Sequence, residues 1–171
     1  MVERLWAGWR AAYLEDLDTD RSAMPSPGAG QSLFESILAS GRPDDETFIL
    51  WRGEHCFSLL NLYPYTTGHV LVLPNRAVRD LEELDAETAA ELWSAVRDAV
   101  VAVKAAYRPD GVNVGANLGR AAGAGIPDHL HVHVLPRWLG DTNFTMTVAE
   151  TRVIPESLQL TWRKLRDTWP D

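Results

Sequence analysis

The sequence predicts an α+β fold: a five-stranded, mainly antiparallel sheet with one long helix and flanking short helices. Three observations predict it. Five short apolar-rich runs are bounded by Gly, Pro, Asn and Asp, as strands are. Between the third and fourth runs, residues of roughly 86–107 place apolar side chains at three- and four-residue spacing, as one amphipathic helix does. The chain of 171 residues also suffices for one domain with a full-sized core, so 1–171 is read as a single domain.

Residues 16–32 are rich in Pro, Gly, Ser and Asp and read as a loop or insert, since too little chain precedes them to fold alone. Leu33-Phe34-Glu35-Ser36-Ile37-Leu38 reads as a short helix stopped by Gly41 and Pro43. Strand-like runs follow at Thr47–Arg52, Cys56–Asn61 and His69–Leu73, separated by the Arg52-Gly53-Glu54 turn and the Pro64–Gly68 loop. Asp85 suits an N-cap and Glu87 the first turn of the long helix, whose stripe is Ala89, Leu92, Val96, Val100, Val103 and Tyr107. Pro109 and Gly111 end it. Val112–Leu118 and His129–Leu135 are the last two strands, and 156–168, with Leu158, Trp162 and Leu165, is a terminal helix.

Composition narrows the function. The chain is 46% hydrophobic and 23% charged, ordinary for a globular protein, and has no apolar run near the length that spans a bilayer. Its beginning, Met-Val-Glu-Arg-Leu-Trp, lacks the basic and apolar regions of a signal peptide. A single cysteine, Cys56, permits no internal disulfide, so a cytoplasmic protein with no membrane partner is expected. The net charge of −8 argues against a nucleic-acid polymer as partner, because backbone binding needs a broad basic surface. A small nucleotide, held by a handful of local donors, is compatible with it.

The chemistry is carried by His129-Leu130-His131-Val132-His133, which uses three of the five histidines. Residues two apart on a strand project to one face, so the rings form a polar, solvent-facing row while Leu130, Val132 and Val134 enter the core. Such a row suits either a metal or nucleophilic catalysis at phosphorus, with the central ring attacking and its neighbours orienting it and binding oxyanions. The stretch Asn117-Leu-Gly119-Arg-Ala-Ala-Gly123-Ala-Gly125-Ile-Pro127 leads into the row, and its unhindered backbone N–H groups suit phosphate oxygens. Together the two favour phosphorus chemistry.

With these residues the sequence resembles the histidine triad (HIT) superfamily of nucleotide hydrolases and transferases. His-Leu-His-Val-His-Val-Leu matches its His-apolar-His-apolar-His-apolar-apolar pattern. The runs from Cys56 to Asn61 and from Pro64 to Pro74 are similar to its nucleoside-binding hairpin. Leu5–Arg10 and Gly140–Phe144 are similar to the bacterial diadenosine tetraphosphate phosphorylase branch. The resemblance implies a HIT-like fold and at least a homodimer. Some of the seven tryptophans, among them Trp6, Trp9, Trp138, Trp162 and Trp169, would then bury between subunits.

The same resemblance assigns the site. His131 is the nucleophile that attacks the α-phosphorus; His129 helps position it, through a backbone carbonyl, and His133 binds phosphate oxygen or assists the leaving group. Asn61 matches the ribose-binding position, His69 supports the loop from behind, and Asn117 matches an amide used on phosphate oxygens. Gly123, Ala124 and Gly125 supply backbone donors; Arg120 is read as solvated. The sequence departs from the family in two places. Many members carry Gly-Gln-Ser or Gly-Gln-Thr ahead of the triad, where the run here is Gly123-Ala-Gly-Ile-Pro-Asp128. Some bacterial members hold zinc through Cys-x-x-Cys, and the comparable positions here are Ser32 and Glu35, so no zinc is expected.

The leading expectation is a phosphorylase that splits diadenosine tetraphosphate with inorganic phosphate into ADP and ATP. A dinucleoside polyphosphate hydrolase or nucleoside phosphoramidase is the alternative. A non-catalytic adenine-nucleotide-binding protein and a histidine-rich zinc protein are readings from other classes. No tightly bound cofactor is expected, and a divalent cation accompanying the nucleotide is compatible with the sequence.

Overall fold

The computed structural model describes residues 30–141 and 154–170. Most of the expected loop at 16–32, the N-terminal Leu5–Arg10 with Trp6 and Trp9, and Thr142–Phe144 lie outside the described residues. Five strands, β1 (Ile49–Arg52), β2 (Cys56–Leu60), β3 (Val70–Pro74), β4 (Gly111–Ala116) and β5 (Val132–Arg137), form one sheet in the order β1-β2-β3-β5-β4. Every pairing is antiparallel. β3 and β4 both run antiparallel to β5 and hence parallel to each other, and like-directed strands need a crossover, which a helix supplies. That helix is α3 (Ala86–Tyr107); before it come α1 (Leu33–Leu38) and α2 (Asp44–Thr47), and α4 (Leu158–Asp167) closes the described chain.

Side-chain alternation gives the sheet two buried faces. Cys56, Leu60, Val70, Val72, Val132 and Val134 face α3, whose Leu92, Ala95, Val96, Ala99, Ala102 and Val103 pack on them together with Leu165 of α4. The alanines keep α3 close to the strands, and each buried Leu or Val contributes roughly 1.5–3 kcal/mol. On the opposite face Phe57, Leu59, Leu71 and Leu73 meet Phe34 and Ile37 of α1. Register pairs Leu71 with His133 and His133 with Gly115, so His133 belongs to this second face.

Helix ends follow their sequence signals. Asp85 caps α3 by accepting from Thr88 N–H at 2.7 Å. The helix stops at Arg108 (φ 46°), whose N–H donates to Lys104 O, and Pro109 prevents continuation. Gly111 is therefore the first residue of β4 rather than a helix stop. Two strand starts also differ from expectation. Thr47 ends α2, and Phe48 turns the chain in the left-handed region (φ 57°), so β1 begins at Ile49. β5 begins at Val132 rather than His129, because the run-in is bonded elsewhere: Leu130 N–H donates to Val78 O at 2.6 Å. Among the described residues no helix is long and apolar enough to cross a membrane.

Candidate active site

Tautomers in this site follow from partners that can only donate or only accept. His129 Nε2 lies 2.8 Å from the carbonyl of Pro74, at the end of β3, and must donate to it. His129 Nδ1 then accepts from the Ser32 hydroxyl at 2.6 Å. Ser32 is the N-cap of α1, and its oxygen accepts from Glu35 N–H. Phe34, also on α1, meets His129 with the two rings perpendicular, 5.4 Å between centroids.

His131 Nδ1 lies 2.7 Å from the carbonyl of His129 and donates to it. Its lone pair is thereby assigned to Nε2, which has no hydrogen-bond partner among the described residues. Desolvation by burial holds the imidazole below its ordinary pKa, against the opposing pull of the His129 carbonyl, so the ring is neutral at pH 7. A neutral ring with a free Nε2 lone pair is the nucleophilic form.

A third chain of bonds orients His133. Tyr65 N–H donates to His69 Nδ1 at 3.1 Å, and a backbone amide can only donate. The Asn61 amide adds a second donor at 3.3 Å, its orientation fixed because its Oδ1 accepts from Tyr63 N–H at 3.0 Å. His69 Nε2 therefore carries hydrogen and donates to His133 Nδ1 at 2.9 Å. His133 is left with its hydrogen on Nε2, and that buried atom has no partner among the described residues. It is a donor aimed from the same face as His131, whose ring lies 5.0 Å away. Burial, followed by the neighbouring His131, pushes the His133 pKa down to about 4.

The expected polar, solvent-facing row is corrected. His129 is 0% exposed, and His131 and His133 are 7% each, because α1 and the 61–69 loop cover them. His69 is likewise buried and stands behind His133. The side chain of Asn61 is engaged in shaping the turn and holding His69. In the glycine-rich loop, Gly123 and Ala124 already donate their N–H groups to Arg120 O and Gly119 O. The Gly125 N–H makes no hydrogen bond among the described residues, and Ile126 packs into the same apolar cluster as Phe34, tying the loop to the histidine-bearing face. Asn117 makes no hydrogen bond to the rings. Gly115, opposite His133, has open space where a Cβ would stand.

Sequence reasoning missed two contributors. Tyr65, 41% exposed, stacks on His133 at 5.7 Å and 24° and lies tilted against His69 at 4.7 Å. Ser32 sits within the run expected to be loose. Its Ser-x-x-Glu spacing signals a capping box, though nothing in sequence signals its partner 97 positions away. The residues do not fit a zinc at Ser32 and Glu35: both ring nitrogens of His129 are hydrogen-bonded in the neutral ring, and a hydroxyl replaces a thiolate. Among the described residues no three His, Cys, Asp or Glu are grouped to hold a metal ion. Cys56 is buried under α3, and desolvation, with Glu91 and Asp85 nearby, raises its pKa to about 12, an inert thiol.

Known proteins resemble this chain in sequence and in fold. The chain is 40% identical over 168 residues to an AP-4-A phosphorylase of Mycobacterium tuberculosis, covering 98% of this chain and 85% of that protein. Over 93 residues it is 33% identical to the asymmetrical bis(5'-nucleosyl)-tetraphosphatase of Schizosaccharomyces pombe, covering 54% of this chain and 50% of that one. Its structure superposes with a TM-score of 0.66 on a Zn-bound histidine triad family protein from Mycobacterium smegmatis, 28% identical, covering 82% of this chain and 94% of that chain. A histidine triad nucleotide-binding protein from Sulfolobus tokodaii gives 0.64 at 30% identity, over 79% and 89%. The family model for the HIT domain matches residues 42–138, a span that holds all five strands and the whole triad, and the chain belongs to that family.

Proposed function

We propose that the chain is a phosphorylase of diadenosine polyphosphates. The observation that carries the reading is the His131 ring, tied through Nδ1–H to its neighbour's carbonyl and left neutral with its lone pair on Nε2. In the first step Nε2 attacks the α-phosphorus of diadenosine tetraphosphate. The N–P bond forms, the bond to the bridging oxygen breaks, and ATP departs. His133 Nε2–H faces the departing oxygen; a polyphosphate leaves as a stable anion, so a hydrogen bond suffices where an alcohol would need a strong acid. In the second step an oxygen of inorganic phosphate attacks the same phosphorus, the N–P bond breaks, and ADP leaves His131 free.

Support for phosphate as acceptor comes from the similarity to a phosphorylase along almost the whole chain. It also comes from the small residues of the Gly119–Pro127 loop, which leave an unpaired Gly125 amide for an anion. The similarity to a tetraphosphatase favours a second reading in which water takes the place of phosphate. Product analysis separates them. With millimolar phosphate, diadenosine tetraphosphate is expected to disappear on the order of tenfold faster or more, giving ADP and ATP. AMP as the main product at saturating phosphate would overturn the phosphorylase in favour of the hydrolase. The absence of any adenylylated protein in a single turnover would leave only nucleotide binding.

A further inference from the structure

The positions that the family resemblance gives to zinc ligands hold a different device. Ser32 Oγ accepts from Glu35 N–H at 3.1 Å and passes its own hydrogen to His129 Nδ1 at 2.6 Å. The Glu35 carboxylate accepts from Ser32 N–H at 2.8 Å and from Ala77 N–H at 2.9 Å. It thus fastens the start of α1 to the segment leaving β3. His129 Nε2–H donates to the carbonyl of Pro74, the last residue of β3, at 2.8 Å. Phe34, between the two clasp residues, packs on both His129 and His131.

We propose that Ser32 is a positioning residue for the nucleophile, and that the Ser32–Glu35 clasp does by hydrogen bonds what a metal would otherwise do. Donation from Ser32 admits only the Nε2–H tautomer of His129. In the other tautomer a ring lone pair would face the Pro74 carbonyl, and the ring would swing away. Held on Pro74, His129 fixes its own peptide, whose carbonyl accepts from His131 Nδ1–H and so aims Nε2. Ser32 is placed behind His129, so its loss acts on the chemical step rather than on binding. The proposal rests on His131 as nucleophile in the reading above.

The test compares Ser32→Gly, Ser32→Ala and Ser32→Thr with the wild type. Glycine is a tolerated N-cap, so the first variant removes the donor at little cost to the helix, whereas threonine keeps both hydroxyl roles. With diadenosine tetraphosphate, the Gly and Ala variants are expected to lose about tenfold in kcat with KM within about twofold, and the Thr variant to stay within about twofold of wild type. Nitrogen-15 NMR of the imidazoles is expected to show His129 protonated on Nε2 in wild type and a tautomer mixture in Ser32→Gly. Wild-type kcat and an unchanged tautomer in Ser32→Gly would overturn the proposal, as would a Gly variant that melts lower with its tautomer intact. If that variant does not fold, a wild-type His129 protonated on Nδ1 overturns it equally. If the wild type itself turns over no substrate, the functional reading has failed and the ring spectrum alone decides on Ser32. Metal analysis is expected to find less than about a tenth of an equivalent of zinc; stoichiometric zinc whose removal shifts the His129 signals would overturn the clasp.

Discussion

His69 and His133 are joined ring to ring by a 2.9 Å hydrogen bond from Nε2 of the first to Nδ1 of the second. The direction of that bond is dictated from outside the pair by the Tyr65 amide, which occupies the other nitrogen of His69. A main-chain group in the 61–69 loop thus decides which edge of His133 offers hydrogen to the site. Replacing His69 with Ala should leave His133 Nδ1 buried without a donor, at a cost of about 1–3 kcal/mol. Activity should fall roughly ten- to a hundredfold in kcat. His69→Gln, whose amide can accept and donate, should recover part of it; equal rates for the Ala variant and wild type would refute the relay.

His131→Ala should lower turnover by about a thousandfold or more and abolish the covalent intermediate, since a covalent route has no substitute for its nucleophile. The ring is buried against Phe34, so the variant should also melt at a lower temperature rather than being silent in stability. Retention of more than about a tenth of the wild-type rate would remove His131 from the role.

Acid should destabilise the fold earlier than carboxylates alone would dictate. Burial holds His129, His131 and His133 below the ordinary imidazole value, His133 at about 4. The unfolded chain therefore takes up protons first as pH falls. Stability from these rings is fully present above roughly pH 6.5, the unfolded value, and drains as pH falls toward 4. Glu35 and Glu156 are held low by hydrogen bonds that outweigh their burial, and they add losses only below about pH 4.5. Urea titrations at pH 7.5, 6.5 and 5.5 should show the decline, and His133→Asn should flatten it (about one pH unit per step). A flat wild-type profile over that range would mean the rings are ordinary.

Gly68→Ala should destabilise by about 2 kcal/mol or more. Gly68 has φ +80°, and a Cβ there would stand 2.8 Å from Tyr107 Cε2 and 3.2 Å from Pro136 Cγ. Denaturant melts read the loss directly. Tyr107→Leu, which trims the ring, should restore part of the clash term in the double variant but none of the backbone term.

Local pattern made much of this legible. The α3 boundaries followed from Asp85, the apolar spacing and Pro109, and the alternation of His129, His131 and His133 with aliphatic residues placed the rings on one face. Pairwise matters of long range were not legible. No local rule links Ser32 to His129 or Asn61 to His69, since those contacts arise only when α1 and the β2–β3 turn settle on the sheet. The burial of the row was missed for the same reason. Strand starts slipped where other main-chain partners took the amides: Phe48 N–H donates to Asp44 O at the end of α2, and Leu130 N–H donates to Val78 O.

The order β1-β2-β3-β5-β4 has a consequence for how the protein is born. The strand that emerges last from synthesis is not an edge but the link between β3 and β4. Until it arrives, β3 has one open side and β4 has no neighbour in the sheet. His133 rides on that closing strand, while Pro74, Asn61 and His69 wait on elements made long before. A partly made chain therefore holds Pro74, Asn61 and His69 but none of the three triad histidines, and the ring network forms only in the act that completes the sheet.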